Sequence, residues 1–221
     1  RVLPDYGGHP YTFPLYIYQR GKHELLQPEP NLTNKAYAAF SHKLKVREES
    51  LPAEKILSYI YAVLYSNGYR QRYSEFLTTE FPRIPITSNY KQFTHLSDLG
   101  SQLIDAHLLK EEALGRSIVH FDGKGDYGVR RAGYRESQNA SILGRMYINE
   151  TQFFEGISIN HLKFRVAGYE VLKRWLLERE KAGYSLNYND IETYCKIVTA
   201  IDKTFRLVEY IDNAIPKWPI E

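Results

Sequence analysis

At 221 residues the chain is sized for one domain or two tightly packed lobes, and its 43% hydrophobic content is enough for a real core. No apolar run approaches the roughly 18 residues a membrane helix needs, no signal peptide is visible, and the single Cys195 excludes a disulfide framework, so a cytoplasmic location without a membrane partner is expected. The net charge of +3 and pI near 8.7 are mildly basic and do not by themselves indicate a nucleic-acid partner.

In chain order, Tyr11 to Tyr18 reads as a strand and Asn31 to Arg47 as a helix with Asn31 or Thr33 near its cap. Ser50 and Pro52 then signal a helix start, and Ile56, Ile60, Val63 and Leu64 recur at helical spacing. Asn67-Gly68 is expected to stop that helix. A second helix is expected from Tyr69 to Thr79, with Tyr69, Tyr73, Phe76 and Leu77 on its inner face. Pro82 and Pro85 forbid further helix and hold Arg83-Ile84 as an extended strand. Asn89 to Leu114 reads as one long amphipathic helix with Phe93, Leu96, Leu103, His107 and Leu108 inward.

The texture then changes. Ser117 to Phe121 alternates like a strand, Asp122 to Asp126 reads as a turn, and short strands continue through Ile157. Gly168 to Lys181 returns to helix, and Asn187 or Asn189 caps a final long helix ending near Asn213. The fold class is therefore α+β, with helix-rich N- and C-terminal parts around a central antiparallel β section. Within a single domain spanning 1–221, the expected divisions are a mainly helical lobe at 1–114, a β-rich section at 115–165 and C-terminal helices at 166–221.

Two apparent motifs fail on context. Gly123 to Gly128 fits G-x-G-x-x-G, and Phe121 to Gly125 fits the F-x-G-x-G of a methyl-donor site. Both chemistries need the glycine turn to open a helix, and Val129 to Gly133 is poor helix material. A hairpin turn with glycine at positive φ explains these glycines better. The seven His are scattered without zinc spacing, and Cys195 has no partner, so no metal is expected. Asp122, Lys124 and Asp126 are the only residues that resemble a nuclease cluster. No catalytic residue emerges.

The distribution of charge is more informative. Between Leu114 and Met146 six basic residues, Arg116, Lys124, Arg130, Arg131, Arg135 and Arg145, face only Asp122, Asp126 and Glu136. Arginine forks onto guanine edges or phosphates in a way lysine does not, and Gln138 and Asn139 have side chains that read adenine. Tyr127, Tyr134 and Tyr147 are interleaved. Ordinary solvated hairpins and a DNA-facing surface both fit this pattern.

Several ordered blocks resemble the C-terminal specificity domain of Type ISP restriction-modification enzymes. They are Phe13-Pro14-Leu15-Tyr16, Ile60 to Leu64, Tyr69-Arg70, Phe81 to Pro85, Leu99-Gly100 with His107 to Leu109, and Gly168 to Leu176. Ala167 stands where that family more often has glycine, and the stretch from Arg116 to Thr151 is the least similar. The resemblance implies a non-catalytic DNA target-recognition module, in keeping with a chain that does not begin with Met. It implies a parent polypeptide with adenine methyltransferase, translocase and nuclease parts. S-adenosylmethionine, ATP and magnesium would belong to those parts, and double-stranded DNA and the methyltransferase domain would be the partners. Lys124, Arg130, Arg131, Arg135, Gln138, Asn139 and Arg145 are then the expected DNA contacts, with Arg70, Arg72, Arg83 and Lys91 as additional phosphate contacts. Arg83 has a competing role as a buried arginine capping helix carbonyls. A protein-interaction domain docking the methyltransferase, and an independent small enzyme, are the alternatives.

Overall fold

The computed structural model describes residues 13–18, 27–137, 143–166 and 168–220. The expected α+β class is what is found, with helices at both ends and antiparallel strands between them. The described residues form two compact units, one taking in Ala106–Phe205 and the other the residues up to Asp105 together with those from Arg206 onward.

The second of these units opens with a short antiparallel ribbon of β1 (Tyr16–Ile17) and β2 (Glu29–Pro30). The helix expected over Asn31 to Arg47 is α1 (Asn34–Leu44); Thr33 accepts the Ala36 amide as N-cap, and Lys45 ends it at φ 58°. Next comes α2 (Ala53–Tyr65), with Pro52 in the N-cap position. The helix does stop just before Asn67-Gly68, as expected, but these two residues then open α3 (Asn67–Arg72). The reason is Ser66, whose Oγ accepts the Tyr69 amide at 3.2 Å and donates to Asp212 Oδ1 at 2.6 Å. A turn then separates α3 from α4 (Phe76–Thr79), so the single helix expected from Tyr69 to Thr79 is two pieces and Phe76 is exposed, not inward.

The proline segment after α4 is extended but belongs to no strand. Two tyrosine hydroxyls hold it: Tyr69 donates to the Arg83 carbonyl and Tyr59 to the Pro85 carbonyl, each at 2.8 Å. Burial pushes the Tyr59 hydroxyl up to about 12, so it stays a donor across the usual pH range. Next, α5 (Tyr90–His107) ends earlier than Leu114, because the chain turns at Leu109 (φ 55°), which leaves Leu108 exposed rather than inward. Phe40, Tyr59 and Phe93 meet ring against ring at 5.1–5.9 Å in the core of this unit, joined by Leu207, Ile211 and Ile215 from the chain's end. Gly100 lets α5 approach α2 closely: a Cβ there would lie 1.8 Å from the Ser58 carbonyl oxygen.

The Ala106–Phe205 unit begins with α6 (Glu111–Leu114) and centres on a four-stranded antiparallel sheet. Its strands are β3 (His120–Asp122), β4 (Gly133–Arg135), β5 (Gly144–Tyr147) and β6 (Phe153–Ile157), in the order β3-β6-β5-β4. The loop containing Gly123 and Gly128 is therefore not a hairpin turn, because the strands it joins lie at opposite edges. After α7 (Ile159–Lys163), β7 (Arg165–Val166) and β8 (Tyr169–Glu170) make a small ribbon. Then come α8 (Val171–Lys181) and α9 (Tyr188–Ala214), the latter opened by Asn187 Oδ1 accepting the Asp190 amide.

Alternation decides which face of the sheet is buried. Phe121, Met146 and Phe154 point into a core that includes Leu172 and Leu176 of α8 and Tyr194 and Val198 of α9, with the Phe154 and Tyr194 rings 4.2 Å apart. Strict alternation would send Ile157 outward with Phe153 and Glu155. A bulge corrects this: Gly144 pairs with Ile157 and Arg145 with Glu155, so Gly156 is the extra residue, at φ 101°. Glu155 consequently stays outward while Ile157 is fully buried.

Candidate nucleic-acid interface

The outward face of this sheet carries two cross-strand rows. Register places Arg135, Arg145, Glu155 and His120 side by side across all four strands, and Gly133, Tyr147, Phe153 and Asp122 in the row beside them. The Tyr147 and Phe153 rings are 5.1 Å apart, with the Arg135 guanidinium 4.3 Å over the first and the Arg145 guanidinium 4.4 Å over the second. Glu155 is shared: one oxygen accepts from Arg145 Nε at 2.6 Å, and the other lies 3.1 Å from His120 Nε2. Among the described residues, Arg135 has no carboxylate partner. The face thus offers one uncommitted guanidinium and one neutralised guanidinium, each resting on an aromatic ring.

Lys124, Arg130 and Arg131 lie on the β3–β4 connection, which sits at the opposite end of the sheet from the Arg135–His120 row, and Arg116 lies before β3. Buried amides bind this connection to the β5–β6 turn. Asn149 Nδ2 donates to the Gly128 carbonyl at 3.0 Å, Gln152 Oε1 accepts the Tyr127 amide at 2.8 Å, and Ile148 O accepts the Arg130 amide at 2.7 Å. Sequence reasoning passed over Asn149 and Gln152. The loop's glycines lead into β4, not into a helix. Arg130 is paired through one nitrogen with both oxygens of Asp126, at 2.7 and 2.9 Å, and this contact holds the Asp126 carboxyl down at about 2. Lys124 and Arg131 are exposed, and Arg131 is fixed by its backbone, whose amide donates to Glu180.

The predicted basic set is therefore divided rather than gathered. Arg135 and Arg145 share the sheet face, and Lys124, Arg130 and Arg131 share the loop. Gln138 and Asn139 lie outside the described residues. Arg70, Arg72, Arg83 and Lys91 belong to the other unit. There Arg70 Nε donates to the Leu64 carbonyl and its guanidinium lies 4.6 Å over Tyr65, which spends it on the end of α2. Arg72 and Lys91 are exposed. Arg83 is not the buried cap that the flanking prolines suggested, since its side chain is 88% exposed and pairs with Glu80.

The remaining reactive groups read as structural. Burial pushes the Cys195 thiol up to about 11, away from nucleophilic chemistry. His107 Nε2 lies 2.9 Å from Thr204 Oγ1, a hydrogen-bonded helix position as its spacing suggested. No cluster of metal-ligating side chains occurs among the described residues, and no described helix is long and apolar enough to cross a membrane.

Comparison with known proteins adds the following. The model of the Type ISP C-terminal specificity domain matches residues 3–210. No curated protein sequence matches the chain. Among solved structures, the chain is similar to an ATP-dependent Type ISP restriction-modification enzyme, LlaBIII, bound to DNA (TM-score 0.62, 17% identity, 94% of this chain and 14% of that one). It is also similar to the DrdV–DNA complex (TM-score 0.64, 20% identity, 94% of this chain and 21% of that one). A third likeness is to a nuclease-deletion mutant of the Type ISP enzyme LlaGI in complex with a DNA substrate mimic (TM-score 0.52, 22% identity, 77% of this chain and 14% of that one). The chain thus spans a small part of the length of each protein it resembles.

Proposed function

Because this chain belongs to the Type ISP C-terminal specificity domain family, we propose that it selects the DNA sequence on which a larger restriction-modification polypeptide acts. The family match over residues 3–210 carries this reading. Three similar structures described as complexes with DNA or a DNA mimic support it. The chain itself is a recognition module without a catalytic group. In this reading the parent is an adenine-specific methyltransferase with restriction activity that works in the cytoplasm. S-adenosylmethionine, ATP and magnesium serve those other parts, and the methyltransferase domain is the covalent neighbour of this chain.

The physical division of labour follows from DNA chemistry. Phosphate contacts hold a protein in register and carry no sequence information, while contacts to base edges choose the site. Lys124, Arg130 and Arg131, on a loop braced by Asn149 and Gln152, suit the first task. Arg135 on the sheet face suits the second, with Arg145 held beside it by Glu155 and with Gln138 and Asn139, which lie between these two arginines in the sequence, as adenine readers. Arg72, Arg83 and Lys91 are further phosphate contacts, and Arg70 is the weakest member because its Nε already serves the end of α2.

The test is titration of a labelled duplex across ionic strength. Releasing condensed counterions makes affinity fall steeply as salt rises. The Arg130→Ala, Arg131→Ala double variant is expected to bind more weakly, with a shallower salt slope and unchanged folding. Binding indifferent to salt between low and physiological strength would overturn the reading.

A further inference from the structure

One further property of the sheet face concerns what kind of DNA atom it meets. A surface built for phosphates gathers cations and excludes carboxylates. This one mixes the two: Glu155 sits between Arg145 and His120 in the same cross-strand row as Arg135, and Asp122 stands in the next row. The face thus sets acceptors among its donors, a mixture that suits the edges of bases better than a phosphate chain.

Arg135 stands apart within this pattern. It is the last residue of the edge strand β4, so it sits at the outer border of the four-stranded sheet. Guanine presents O6 and N7 on its major-groove edge, the pattern a guanidinium fork matches. Tyr147 supports its guanidinium plane from below, which removes much of the conformational freedom a long side chain otherwise loses on binding. Its neighbour Arg145 rests on Phe153 in the same manner but already donates to Glu155. Among the described residues no hydrogen-bond acceptor takes up the fork of donors that Arg135 carries.

We infer that Arg135 is a specificity-determining residue that reads a guanine through O6 and N7 in the major groove, with Tyr147 as its positioning residue and the Arg145–Glu155–His120 row as a fixed fence beside it. This rests on the DNA-recognition reading above. Arg145 holds the fence closed through Glu155 and does not itself read a base. The partner is therefore a guanine-containing duplex, met on its major-groove side by the outward face of the sheet at its β4 edge.

The experiment is selection from a random duplex DNA library by the chain in its native polypeptide, followed by sequencing, for the wild type, Arg135→Ala, Arg135→Lys and Tyr147→Leu. Circular dichroism and thermal unfolding check that each variant folds. The wild type is expected to enrich a motif containing guanine. Arg135→Ala is expected to lose preference at one G·C pair by about tenfold or more, with the rest of the motif kept. Arg135→Lys and Tyr147→Leu are expected to relax that same pair to a smaller extent. A motif unchanged by Arg135→Ala overturns the assignment but leaves target recognition standing. Equal weakening on all sequences, with the motif retained, makes Arg135 a phosphate contact and also overturns it. A wild type that enriches no motif overturns the recognition reading itself.

Discussion

Gly156→Ala is the most informative single substitution in the Ala106–Phe205 unit, because the bulge it occupies sets the facing of both Glu155 and Ile157. Two costs combine there. The backbone sits at φ 101°, where a side chain is strained by roughly 1–3 kcal/mol. An added Cβ would also lie 2.6 Å from the Ile118 carbonyl oxygen, a backbone atom that moves only if the neighbouring chain moves. Gly183 provides the control, since its φ is 61° and a Cβ there would meet nothing within 4 Å. Gly183→Ala should therefore cost strain alone, about 1–2 kcal/mol. Gly156→Ala should cost about 3 kcal/mol, the strain plus the displaced carbonyl. Thermal unfolding followed by circular dichroism measures both, and each kcal/mol corresponds to a shift of about 2–4 °C in midpoint for a chain of this size. Equal losses in the two variants would refute the bulge as a constrained element, because they would mean that the Ile118 carbonyl exerts no steric penalty.

Two other perturbations test the scaffold. Asp212 accepts from Ser66 Oγ, the Asn67 amide and the Gly68 amide, so Asp212→Ala should destabilise the chain by about 1–2 kcal/mol and Asp212→Asn by less, read by denaturant midpoint; no change would remove this carboxylate from the start of α3. His161 is lowered from its ordinary value because burial outweighs the nearby Asp202. Its folded state binds fewer protons than the unfolded chain, so its share of stability is fully present above about pH 6.5 and declines as pH falls through the folded value. An NMR titration should place its midpoint below that of an unfolded histidine, and a midpoint above it would mean that Asp202 dominates.

How far the sequence spoke for the fold depended on the range of the interactions. Helices with strong periodicity, such as those around Ile56 and Val198, were legible because their spacing is local. The order β3-β6-β5-β4 was not, since strands of three to five residues carry almost no pattern and their pairing is set by the core beneath them. Asn67-Gly68 misled because its helix start depends on Asp212, about 145 residues away in the chain. The arginine-rich stretch was visible as composition. Its division into a sheet-face pair and a loop group was not, because cross-strand register decides it. Glu155 went unnoticed for the same reason: its meaning comes from Arg145 and His120, ten residues before it and thirty-five before it, and no local motif joins them. Asn149 and Gln152 left no sequence signal beyond being amides close to a turn.

The most direct measurement is the methylation pattern that the native polypeptide leaves on a host genome, before and after this chain is exchanged for the corresponding segment of another family member. If this chain chooses the target, the modified base sits in one recurring sequence context, and the exchange replaces that context with the donor's. A context that survives the exchange unchanged would place target choice elsewhere in the polypeptide and contradict the role assigned here.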